Sequence, residues 1–167
     1  MSTAWLKANL PGFVDLTLAE RRAISDFTLL WTLFEARVLG TNGNAQQIVA
    51  KVTAWDQADQ LKADSYDREL AYFRDRYFSK GHFTHHFDGL HLRQNDQPAL
   101  VRGVLDGSDN NARNRVIAAF IIVLRYRNNL FHGVKWQYHL SDQLQNFKCA
   151  NEILKRALKR HGNLLGA

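Results

Sequence analysis

The sequence has little of what covalently cross-linked or metal-based folds require. Cys149 is the only cysteine, which excludes an intrachain disulfide, a zinc finger and a CxxC redox site. Such sparing use of cysteine is typical of a reducing compartment, and we predict a cytoplasmic protein. With only two prolines and ten glycines in 167 residues, the chain is also a poor candidate for a disordered or linker-rich protein.

Long apolar runs are lacking as well. The longest run, VIAAFIIVL at residues 116–124, is far shorter than the roughly 20 residues that a membrane-spanning helix needs. The N-terminal segment MSTAWLKANLPGFVDL has neither the charged nor the long apolar region of a signal peptide. We therefore expect no membrane partner and no secretion signal.

The charge and the hydrophobic content both carry information about function class. The chain has 22 Lys and Arg residues against 16 Asp and Glu residues, a formal net charge of +6. A basic balance of this kind favours a polyanionic partner such as nucleic acid. The 46% of hydrophobic residues is enough for a substantial core, and the length suits one domain spanning residues 1–167.

Apolar residues recur at helical spacing along nearly the whole chain. Thr17 and Glu20 form the pattern of a capping box, which predicts a helix that runs to about Leu39. No alternating pattern long enough for a useful strand is present. The sequence predicts an all-α bundle of about five helices, with an irregular loop region near 79–110. The remaining predicted elements are a helix from Asn44, one after Ser65, a short one near Pro98, one from Asp109 or Asn110 to about Phe131, and one from Ser141 to Gly162.

The segment RYRNNLFH at residues 125–132 places polar side chains at the end of the most apolar helix. Continuing the stripe of Ile121 and Leu124 at helical spacing leads to Arg127 and Asn128, where burial is costly without partners. Imidazole transfers protons near neutral pH and guanidinium binds phosphate, so Arg, Asn and His together suit phosphodiester cleavage. The alternative is that the cations only stabilise the helix C-terminus through its dipole.

The segment RNNLFHG at residues 127–133 resembles the signature of HEPN domains, in which Arg and His are separated by four to six residues and Asn often follows the Arg. The downstream residues Gly133 and Lys135 and the amphipathic last helix are similar too. The resemblance implies a HEPN-like helical homodimer with a composite cleft. It also implies metal-independent RNA cleavage by 2′-hydroxyl attack, giving 2′,3′-cyclic phosphate and 5′-hydroxyl ends, with no cofactor.

The same resemblance assigns catalytic roles to three residues of the motif. His132 is the expected general acid or base, Arg127 stabilises the charge that develops on phosphorus, and Asn128 orients the histidine or the phosphate. Arg125 also has a permitted spacing to His132. We favour Arg127 as the phosphate-contacting arginine because Asn follows it, whereas Tyr126 follows Arg125.

Four further residues belong to the predicted site, Glu35 with the catalytic residues and the other three as substrate contacts. Arg125, Asn129 and Lys135 are expected to contact the RNA substrate. Glu35, on a helix otherwise committed to the core, is either a surface glutamate or a partner that holds the guanidinium of Arg127.

The family resemblance also suggests a biological setting and an alternative. Small nucleases of this type are commonly toxins or defence effectors, restrained by an antitoxin or another regulatory protein. The alternative is a non-catalytic HEPN-like module that binds RNA or protein and pairs with a nucleotidyltransferase-type partner.

A different reading of the sequence starts from its histidines. The run HFTHHFDGLHL suggests a metal-binding protein built on His82, His85, His86 and His91. We assign no metal site, because glycines flank the run and no HExxH pattern is present.

Overall fold

The fold is described here from a computed structural model that covers residues 2–10, 12–131 and 143–164. It is mostly helical, which confirms the prediction of an all-α protein. Within the described residues, α-helices form eight segments rather than about five. Their bounds are α1 Ser2–Asn9, α2 Leu18–Arg37, α3 Ala45–Gln57, α4 Asp67–Tyr77, α5 His85–Asp88, α6 Pro98–Asp106, α7 Ala112–Phe131 and α8 Leu144–His161.

The starts of α2 and α3 lie where their capping residues predict. The Thr17 hydroxyl accepts a hydrogen bond from Glu20 N, and the Glu20 carboxylate accepts one from Thr17 N, which completes the predicted capping box. Asn44 Oδ1 accepts a hydrogen bond from Gln47 N at 2.9 Å and caps α3 in the same manner. Local side-chain chemistry therefore positions both helix starts before any tertiary contact is considered.

Helix α7 is the central helix of the bundle. Its side chains from Val116 to Tyr126 are all buried, because α3, α4, α6 and α8 pack around it. A helix that is hydrophobic on every side requires such surroundings. The sequence predicts one inward stripe on this helix, and the structure extends the buried surface around the whole circumference.

The predicted loop region near 79–110 is more ordered than its glycines indicate. Strands β1 (Phe78–Ser79) and β2 (His82–Phe83) form an antiparallel hairpin, which the absence of an alternating pattern did not predict because each strand has only two residues. Helix α5 and a 3₁₀ helix at Gln94–Asp96 follow. The short helix near Pro98 is confirmed as α6, with Pro98 in its first turn.

The two ends of the described chain add further differences. Helix α1 was not predicted, since its eight residues carry no clear apolar stripe. Helix α8 packs mainly against α2 and ends at His161, as predicted from Gly162. The predicted cap Ser141 lies outside the described residues. None of the helices in the described ranges is long and apolar enough to cross a membrane.

Candidate active site at the end of helix α7

Arg125 is buried at the last turns of α7, with a side chain only 3% exposed. Its Nε donates to Leu90 O at 2.9 Å, and its Nη1 donates to Asp96 Oδ2 at 3.1 Å. Its Nη2 makes a longer bond of 3.5 Å to Asn129 Oδ1. Burial lowers the pKa of the Arg125 guanidinium, and the negative charge of Asp96 opposes that shift. All three guanidinium nitrogens thus have protein partners.

Asn129 lies one helical turn after Arg125, on the same buried face of α7. Its Nδ2 donates to Gly89 O at 3.1 Å and to Leu90 O at 3.4 Å. The predicted contacts of Arg125 and Asn129 with substrate do not fit this geometry, because both side chains are buried and already paired. Instead, they join α7 to the loop that follows α5.

Arg127 lies on the other side of α7, and its side chain is 28% exposed. Within the described residues it makes one hydrogen bond, from Nη1 to Asn128 Oδ1 at 3.0 Å. The guanidinium carbon lies 5.9 Å from the ring centroid of Trp31 and 5.4 Å from that of Phe131. A guanidinium has five N–H donors, so Arg127 retains most of its donor capacity for a ligand.

Glu35 holds this guanidinium from helix α2. Its Oε2 lies 3.6 Å from Arg127 Nη2, an ion pair between two half-buried side chains. Of the two alternatives for Glu35, the contact with Arg127 is the one seen in the structure, while its place among the catalytic residues stays a prediction. The carboxylate also accepts a hydrogen bond from Trp31 Nε1 at 2.7 Å and one from Gly43 N at 3.0 Å. These bonds orient the carboxylate toward α7.

Trp31 and Gly43 are members of this site that sequence reasoning missed. The four-residue spacing of Trp31 and Glu35 on a helix is a signal for the first, since such pairs share a face. No sequence signal marks Gly43. A Cβ atom at this position would lie 2.6 Å from Glu35 Oε1, so any larger residue would displace the carboxylate that faces Arg127.

Arg127 and Asn128 line an open cleft of about 720 Å³. Leu124 and the buried Arg125 of the same helix also line it. Its other walls are residues 43–46 and Val49 at the start of α3, and the turn of residues 93–97, which contains the 3₁₀ helix. We call this space the amide cleft, because its polar side chains are mainly carboxamides: Asn44, Gln46, Gln94, Asn95, Gln97 and Asn128. The volume is within the range of roughly 300–1,000 Å³ that is usual for small-molecule sites.

Two of the predicted site residues, His132 and Lys135, lie outside the described residues. Helix α7 ends at Phe131, the last described residue before them. The structure therefore brings together Arg127, Asn128 and Glu35 of the predicted site. Arg125 also lines the amide cleft but is buried and paired, and Asn129 is buried and bonded to the loop after α5.

Several basic residues outside the motif are engaged in ion pairs within the bundle. Arg115 contacts Asp64 and Asp67 at 2.9 and 2.7 Å, and Arg156 binds both carboxylate oxygens of Glu69. These pairs join α7 and α8 to the start of α4. Some of the basic residues that give the chain its net positive charge are therefore already paired with carboxylates.

The histidine run does not form a metal centre in the structure. His82 lies in β2, whereas His85 and His86 begin α5 and stack on each other with ring centroids 3.9 Å apart. Across the described ranges, no group of three or more His, Cys, Asp or Glu residues is arranged to hold a metal ion. The alternative of a metal-binding protein built on this run thus has no geometric support.

A second open cleft of about 630 Å³ lies between α2, α4 and α8. Its walls carry charges of both signs, and some are already neutralised by neighbours. Glu152 pairs with Lys155 at 3.0 Å, and Glu69 pairs with Arg156. The amide cleft is the better candidate site because a guanidinium whose donors are mostly unpaired within the described part of the chain opens into it.

No protein-family model, curated protein or solved structure matches this chain.

Proposed function

We propose that this protein is a HEPN-like, metal-independent endoribonuclease. The observation that carries the proposal is the state of Arg127. Its guanidinium is held in place by Glu35, keeps N–H donors that have no partner among the described residues, and opens into the amide cleft, five positions before His132. A guanidinium prepared in this way suits the binding of a phosphate and its developing negative charge.

The proposed reaction is an intramolecular transfer at phosphorus. The RNA 2′-oxygen forms a bond to the neighbouring phosphorus, and the bond from phosphorus to the 5′-oxygen breaks. A base accepts the proton of the 2′-hydroxyl, and an acid donates a proton to the departing 5′-oxygen. His132 takes part in this proton transfer, Arg127 binds the non-bridging phosphate oxygens, and Asn128 orients the guanidinium through its hydrogen bond.

The proposed assembly is a homodimer in which two such motifs face a shared cleft. Lys135 would add a cation near the RNA backbone. A toxin or defence role, with an antitoxin or regulatory partner, follows from the family resemblance and belongs to the same proposal.

The direct test is RNA cleavage in the presence of EDTA. We expect the purified protein to cleave tRNA or total RNA under chelation and to leave 2′,3′-cyclic phosphate and 5′-hydroxyl ends. The variant His132→Ala should lose about 10²- to 10⁴-fold in rate, the usual contribution of general acid–base catalysis. His85→Ala, an exposed histidine outside the amide cleft, is the matched control and should cleave as the wild type does.

Three outcomes would contradict the proposed mechanism. Equal cleavage by His132→Ala would remove the assigned histidine. Loss of activity in EDTA that His85→Ala reproduces would favour a metal site on the histidine run. RNA binding without cleavage by the wild type would favour the non-catalytic binding module. In cells, growth inhibition on expression that His132→Ala relieves would connect the chemistry to a toxin role.

A further inference from the structure

The polar surface of the amide cleft is chemically unusual. Among the described residues, its polar wall consists of six carboxamide side chains, the three guanidinium groups of Arg93, Arg125 and Arg127, and one carboxylate, Asp96, which is buried and bound to Arg125. A carboxamide presents a donor and an acceptor side by side, unlike a carboxylate or an ammonium group. The cleft therefore offers paired donors and acceptors beside its positively charged arginines.

Most of these amides are free to bind a ligand. Gln46, Gln94, Asn95 and Gln97 are exposed, and among the described residues their side-chain amides have no hydrogen-bond partner. Asn128 uses its Oδ1 to accept from Arg127 and keeps its amino group. Free amides on an open surface are common, so their placement has to be fixed before they can select a ligand.

The 93–97 turn is fixed to α7 by buried hydrogen bonds. Asp96 Oδ2 accepts from Arg93 N at 2.8 Å and from Arg125 Nη1 at 3.1 Å. Upstream of the turn, Asn129 binds Gly89 O. Gln97 closes the turn with φ 52° and ψ 51°, a left-handed conformation that residues other than glycine seldom adopt. The turn is thus an anchored element rather than a loose loop.

The same helix carries these anchors and the arginine of the proposed site. Arg125 binds Asp96 of the 93–97 turn and Asn129 binds Gly89 O upstream of it, whereas Arg127 and Asn128 are only half-buried and line the amide cleft. The distance between Arg127 and the free amides of the turn is therefore set by one rigid helix. A ligand that binds both would carry a phosphate next to a group with adjacent donors and acceptors.

We propose that the amide cleft binds an unpaired adenine of single-stranded RNA, and that Gln94 and Asn95 of the 93–97 turn select it. This inference rests on the proposed function, because it takes the phosphate bound by Arg127 to be that of RNA. A single carboxamide can bind adenine through two hydrogen bonds, because its oxygen accepts from N6 while its amino group donates to N7. The adenine has to be unpaired and turned out of any RNA duplex, because a duplex hides the N6 and N7 atoms in a deep, narrow groove.

Binding of uncleavable RNA tests the inference separately from catalysis. The probes are short, fully 2′-O-methylated oligouridines with one central adenosine, guanosine, cytidine or uridine, measured by fluorescence anisotropy. We expect the adenosine probe to bind roughly 10-fold more tightly than the uridine probe, within the range of one bidentate base contact. Annealing the adenosine probe to a complementary strand should remove the preference.

Variants then locate the preference within the protein. The double variant Gln94→Ala/Asn95→Ala should bind all four probes with the affinity of the wild type for uridine. Gln57→Ala removes an exposed amide outside the cleft and should keep the preference for adenosine. Asn129→Ala loosens the anchor, so it should weaken the preference while affinity for the uridine probe stays unchanged. A general structural defect would lower both affinities together.

The outcomes distinguish this inference from the proposed function. Equal binding of all four probes by the wild type, alongside cleavage of ordinary RNA, would overturn the base-selecting cleft and leave the nuclease standing. Preference for adenosine without any cleavage would support the cleft and contradict the nuclease. A preference that survives in Gln94→Ala/Asn95→Ala would assign selection to another surface and overturn the role of the turn.

Discussion

Two arginines of the motif, two positions apart, have opposite surroundings. Arg125 is enclosed by Asp96, Leu90 O and Asn129, whereas Arg127, counting described residues alone, makes one hydrogen bond and one ion pair at the amide cleft. Two positions on an α-helix are separated by about 200° of rotation. Both arginines line the amide cleft, but the Arg125 side chain is 3% exposed there and that of Arg127 is 28% exposed. The geometry favours Arg127 as the phosphate-contacting arginine of the proposed site.

Replacing Arg125 should therefore affect stability more than replacing Arg127. Arg125→Ala leaves the Asp96 carboxylate buried without its partner, and we expect a loss of about 3–5 kcal/mol in the free energy of unfolding. Arg127→Ala removes a partly exposed pair and should cost about 1 kcal/mol or less. Urea denaturation measures both. Equal losses in the two variants would contradict the buried network.

At the scale of the element, the burial of α7 on every side is what positions the motif. Phe120, near the middle of the helix, stacks on Phe34 with ring centroids 5.2 Å apart and lies edge-on to Tyr66 and Trp55. Three other parts of the chain thus meet at one side chain of the central helix. The direction of α7, and with it the position of Arg127, depends on this packing.

The variant Phe120→Ala tests how much the ring contacts of Phe120 contribute to the stability of the bundle. Removing a fully buried ring leaves a cavity between three aromatic neighbours, and we expect a loss of about 3–5 kcal/mol in the free energy of unfolding. Leu29→Ala, on the exposed face of α2, should change it by less than about 0.5 kcal/mol. Thermal or urea unfolding checks the pair. A small effect at Phe120 would mean that the surrounding rings close over the space.

At the scale of the whole molecule, a contact between α3 and the end of α8 links stability to pH. His161 stacks on Trp55 with ring centroids 3.8 Å apart and an interplanar angle of 8°. Burial lowers the pKa of His161 from 6.5 to about 4, and the charge of Arg160 adds to the effect. Below about pH 6.5 the unfolded chain therefore binds a proton that the folded state excludes.

The sign of the pH dependence follows from that difference in proton binding. The contribution of His161 is fully present above about pH 6.5 and is lost as the pH falls toward about 4. In His161→Phe the ring can still stack but no longer titrates. We expect the wild type to lose stability relative to this variant over that interval, measured by urea denaturation at a series of pH values. A constant difference between the two proteins would contradict the assignment, and added salt should change it little because burial is the main cause.

Local chemistry made much of the helical framework predictable. The capping box at Thr17 and Glu20, the cap at Asn44 and the apolar periodicity of α2 and α8 each involve residues within one or two turns. The short hairpin β1–β2 and helix α1 escaped prediction because two-residue strands and an eight-residue helix are too short to show a period.

The longer helices, the caps of α2 and α3 and the residues of the motif follow from the sequence alone, and helical geometry already places Arg125 with Asn129 on one face and Arg127 on another. Which of these faces is buried follows from the folded chain, because on a helix surrounded by apolar neighbours the choice depends on distant groups. The deciding partners are Asp96 and the carbonyl groups of the loop after α5 on one side, and Glu35 on the other. These partners lie far from the motif in sequence, and no local pattern records their position.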